Sequence, residues 1–93
     1  YYNRAKLEEL GLAVPTTLAE LDSAMDTAHA EGMLPLAFGN LEKSPGIHLF
    51  GVTQAAIAGP EAVSELVSGQ GGAWTDAPTV QAAQQISDWA KGG

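Results

Sequence analysis

The stretch that most constrains this chain runs from Val14 to Asn40, VPTTLAELDSAMDTAHAEGMLPLAFGN. Pro15 and Thr16 close off what precedes it. Thr17 can accept a hydrogen bond from a backbone N–H of the first helical turn, and Glu20, three residues on, can reach back to form a capping box. From there Leu18, Leu21, Met25 and Ala28 recur at helical spacing, while Glu20, Asp22, Asp26 and Glu31 point elsewhere. Gly32 stops this helix, because a glycine just past the last turn can take the left-handed conformation that satisfies the final carbonyls. Met33–Phe38 follows as a charge-free apolar run too short for a helix. It reads as a buried strand, closed by a turn at Gly39-Asn40.

The remaining segments are shorter and read by the same rules. Tyr1 and Tyr2 are strand-type aromatics, and Asn3 can cap a brief helix with Leu7 and Leu10 on one face, stopped by Gly11. Leu12 can supply the apolar contact that follows a glycine stop, and the two helices joined by this turn should pack antiparallel or crossed. Gly39–Gly46 (GNLEKSPG) is a polar loop with turn residues at both ends, the kind of place where a scaffold exposes functional groups. Beyond it, Leu49, Phe50, Val52, Thr53, Ala56 and Ile57 are dense enough for a helix buried on more than one side. Gly59-Pro60 breaks that helix. Pro60 then suits the first position of the next, with Glu61 at the positive end of its dipole and Val63, Leu66 and Val67 inside. Gly69 ends it, and a glycine-rich turn leads to Trp74, a candidate anchor. Asp76 caps the last helix, where Val80, Ala83, Ile86 and Trp89 form the apolar stripe and Lys91 sits at the end that favours a cation. The predicted fold class is mainly α: about five helices, near 3–10, 17–31, 47–58, 60–68 and 77–91, with one or two short strands near 1–2 and 33–38. These form a single helical segment over 1–93, with no internal repeat.

Composition limits what such a segment can do. The chain has 93 residues, and its 45% hydrophobic content includes only two Trp, two Tyr and two Phe, so its core is thin and its stability marginal. Four basic against eleven acidic residues give a net charge of −7, which argues against nucleic acid as a partner because phosphate binding needs clustered Lys and Arg. No apolar stretch approaches the ~20 residues of a membrane helix. Cysteine is absent, so disulfides and cysteine metal sites are excluded. Tyr1-Tyr2-Asn3 reads as a strand end met part-way, so the sequence is expected to be an excised piece of something longer.

Few residues carry a chemical signal. His29 and His48 do not fall in a metal-binding spacing, so no metal and no cofactor is expected. His29 is explained by the helix end at which it lies. His48 follows the polar loop, at the expected start of a helix, and its ring can face either a ligand or that helix's first turn. No nucleophile elbow and no phosphate-binding glycine loop appears, and the chain is not expected to be an enzyme. A hydrolase built on His48 and Glu42 is the third reading. Acidic pairs such as Glu8-Glu9 and Asp22-Asp26 read as solvated helix faces. Asn40, Glu42 and Lys43 differ, because in the loop an amide, a carboxylate and an ammonium can converge on a polar ligand; the plain alternative is a surface turn. Trp74 and Trp89 read as core anchors ahead of sugar-stacking platforms.

Taken together, the ordered motifs resemble an internal segment of an extracellular solute-binding protein of a bacterial ABC transporter, of the sugar-binding type. The resemblance covers nearly the whole length. It rests on Tyr1-Tyr2-Asn3 with the helix to Gly11, on Pro-Thr-Thr-Leu-x-Glu-Leu at Pro15–Leu21, and on the Gly32–Gly39 run with its Pro35. His48-Leu49-Phe50, Gly59-Pro60-Glu61 and the Thr75-Asp76 cap then follow in order. The resemblance implies part of the second, C-terminal lobe of a two-lobed α/β periplasmic-binding-protein fold that closes on a ligand. It further implies a small solute, a sugar or oligosaccharide, delivered without chemical change to membrane permease subunits. It places the parent chain in the periplasm or outside the cell, secreted or lipid-anchored. Asn40, Glu42, Lys43 and His48 are the ligand-binding positions it implies. Ser44 stands where the family often carries a tryptophan, so one stacking surface is missing. The alternative is a self-contained acidic helical protein-interaction domain, its thin core completed by a partner or a second copy.

Overall fold

The computed structural model describes residues 1–92 and contains five α-helices, α1 (Arg4–Glu9), α2 (Leu18–Ala30), α3 (Ser44–Ala58), α4 (Pro60–Ser68) and α5 (Ala77–Lys91). They fall into two compact units, Tyr1–Phe38 and Gly39–Gly92.

In the first unit, the helix ends form as their sequences require. Asn3 accepts a hydrogen bond from the Lys6 backbone N–H, capping α1. Thr17 and Glu20 make the full reciprocal capping box at the start of α2. Each helix ends on a glycine of positive φ, Gly11 at 66° and Gly32 at 71°. The N–H of Leu12 donates to the Leu7 carbonyl, and that of Met33 to the Ala28 carbonyl, so both stops close the same way.

The expected packing of α1 on α2 is not observed: no Cα of one helix comes within 8 Å of a Cα of the other. A groove of about 450 Å³ opens instead, lined by Leu7 of α1 and Leu10 just past its end, by Leu21 and Met25 of α2, and by Met33 and Leu36. With only six residues, α1 presents too little apolar surface to draw the longer helix down onto itself.

The two expected strands are likewise absent among the described residues. Tyr1-Tyr2 and Met33–Phe38 carry no ladder, because an isolated strand leaves its backbone groups to water and gains nothing over an irregular path. The second segment alternates as a strand would only as far as Leu36, since Ala37 and Phe38 are both exposed. Met33 and Pro35 are partly covered, whereas Leu34, Leu36 and Phe38 are exposed.

In the second unit, α3 packs against both α4 and α5. Its buried centre is small and polar: Thr53, Gln54 and Thr79, with Ala82 as the buried hydrophobic residue among those described. Gln54 Nε2 donates to Thr79 Oγ1 at 2.9 Å, and Thr53 Oγ1 donates to the Leu49 carbonyl at 2.9 Å. The inner stripe of α5 follows steps of three, four and three residues, as 3.6 residues per turn requires, where the expected stripe had uniform steps of three. Thr79 and Ala82 face inward, Ile86 and Trp89 are half-buried, and Val80 and Ala83 are exposed. Val52 and Val67 also lie exposed, against the expectation for α3 and α4.

Trp74 does not anchor its segment and is exposed. The turn around it is held by the Ala73 N–H donating to Asp76 Oδ2 at 2.6 Å. That bond also diverts the Asp76 side chain from the cap it was expected to make; Asp76 stands at the N-cap position of α5 without a side-chain capping bond. Pro60 opens α4 and Gly69 closes it at φ 71°, as expected.

Candidate ligand-binding site

The residues singled out for ligand contact all lie in the first part of the second unit, on the loop before α3 and its opening turns. The loop is shorter than expected. Pro45 falls in the first turn of α3, where a fixed φ favours the helix and its missing N–H is no loss, so the helix begins at Ser44 instead of 47.

Asn40 turns out to be the residue that organises this junction. Its Oδ1 accepts the Gly46 N–H at 2.9 Å, one of the first-turn donors that the helix itself cannot satisfy, and its carbonyl accepts the Lys43 N–H at 3.0 Å. Lys43 occupies the N-cap position, which it cannot cap with an ammonium side chain, and takes the left-handed conformation at φ 63°. Asn40 therefore supplies the cap from a distance. A β-carbon at Gly46 would sit 3.1 Å from Asn40 Nδ2, so a glycine there lets the amide approach.

Glu42, Lys43 and His48 are exposed. With the helix starting at Ser44, His48 lies in the second turn of α3, not at its start. Ser44 and His48 are four residues apart and so share a helix face. The stretch thus presents an amide, a carboxylate, an ammonium and an imidazole at the surface, groups able to hydrogen-bond a hydroxyl-rich solute. His29, in the last turn of α2, is exposed as well.

The second unit has a cavity, and these residues do not line it. It measures about 110 Å³, below the roughly 300–1,000 Å³ of sites that enclose a drug-sized ligand, and is lined in part by Gln54, Glu65, Leu66, Asp76 and Thr79. The sequence signal for this centre was Gln54 itself, a carboxamide inside the apolar run of α3, where a polar residue needs a buried partner. The partner on α5 carries no such signal, because Thr79 sits in an ordinary helix first turn. Among the described residues, no group of three or more His, Asp or Glu side chains is placed to hold a metal ion. Nor is any described helix long and apolar enough to cross a membrane.

A scan against protein-family models, a search of curated proteins and a search of solved structures each return no match to this chain.

Proposed function

We propose that this chain forms part of the solute-binding component of a bacterial ABC importer, within the helical portion of its second lobe. The component captures a small solute, a sugar or oligosaccharide, in the periplasm or outside the cell and passes it without chemical change to the permease subunits. Asn40, Glu42, Lys43 and His48 contribute to the solute contacts, and the parent chain is secreted or lipid-anchored.

The observation that supports this reading is the state of Met33–Phe38. The segment is free of charge and has apolar residues on both faces, with Met33 and Pro35 partly covered, Leu34, Leu36, Ala37 and Phe38 exposed, and no ladder partner. An internal strand of an α/β lobe has that character, since its two faces are both meant to be covered. The ordered motifs from Tyr1 to Asp76 add to it.

The gene's surroundings test the proposal. It predicts an export signal upstream and further lobe sequence flanking this segment; a reading frame with neither overturns it.

One observation favours a second reading, a self-contained acidic helical interaction domain. The groove of the first unit is apolar and open, as a surface completed by a partner or a second copy would be. Sedimentation and a heteronuclear NMR spectrum separate the two. A well-dispersed, monomeric spectrum supports the autonomous domain, and aggregation of the isolated chain supports the lobe segment.

A further inference from the structure

We draw no further inference here: the strongest candidate, the apolar groove of the first unit between α1, α2 and the segment after Gly32, carries none because nothing in the structure shows what covers it.

Discussion

Gln54 on α3 donates its side-chain amide to the Thr79 hydroxyl on α5 at 2.9 Å, with the two residues only 2% and 8% exposed. The second unit is therefore pinned at its centre by a polar contact. An unpaired amide or hydroxyl in that place would cost more than the bond contributes, which makes the register of the two helices sensitive to either partner.

Replacing both partners should accordingly cost less than the two single replacements added together. Gln54→Met and Thr79→Val should each destabilise the second unit by about 1–3 kcal/mol, while the double substitution should cost clearly less than their sum. Both tryptophans lie in this unit, so urea denaturation followed by tryptophan fluorescence reads it selectively. Additive costs would show that the two side chains do not interact.

Asn40 should matter to stability before it matters to ligand. Asn40→Ala leaves the Gly46 N–H without its partner and should cost about 1 kcal/mol, within the usual range for a lost helix cap. Asn40→Asp keeps an acceptor oxygen and should be close to neutral. Equal melting temperatures for the alanine variant and the parent would contradict the capping role.

The start of α2 should be sensitive to acid. Glu20 is held below its ordinary value of about 4.5, chiefly by the Thr16 N–H at 2.7 Å, then by the Thr16 hydroxyl at 2.8 Å, with a smaller contribution from the Thr17 N–H at 3.3 Å. Because the folded value is depressed, the stabilisation is complete above the unfolded value and is lost as pH falls through the folded one. In an NMR titration, the Glu20 carboxyl should have its midpoint below the ordinary glutamate value, and Thr16→Val should move it upward. An unchanged midpoint in that variant would rule out the hydroxyl contact.

The parts of this fold that were legible in the sequence are those decided within four residues. The Thr17–Glu20 box, the Asn3 cap, the Pro60 start and the stops at Gly11, Gly32 and Gly69 rest on backbone groups that neighbouring side chains satisfy or glycine conformations permit. What depended on distant partners was not legible. Met33–Phe38 reads as a strand, but a strand needs a neighbour to pair with. Val80 and Ala83 look like the inner stripe of α5 only when the stripe is stepped by three residues; the 3.6-residue turn puts Thr79 and Ala82 inside instead. Asn40 was singled out for the polar character of its loop, whereas its bond to Gly46, six residues away, gives it a structural task the spacing did not announce. That Glu42, Lys43 and His48 are each exposed was foreseeable from the polar loop.

In the first unit Leu34, Leu36 and Phe38 are exposed within five residues of one another, with Leu34 79% accessible. Such surface normally marks a covered interface. The isolated chain should bind an environment-sensitive hydrophobic dye or self-associate, and Leu34→Lys with Phe38→Ser should reduce both. Dye-negative, monomeric behaviour at high concentration would count against it.

Thermal-shift titration tests the proposed contact between residues 40–48 and a solute. A panel of mono- and oligosaccharides is titrated against the protein carrying its natural flanking sequence, together with a Glu42→Ala, Lys43→Ala variant. At least one saccharide should raise the melting temperature progressively with concentration, as mass action requires of a ligand that binds the folded state, and the variant should weaken the response. No shift with any saccharide, or a shift the variant leaves intact, would contradict it.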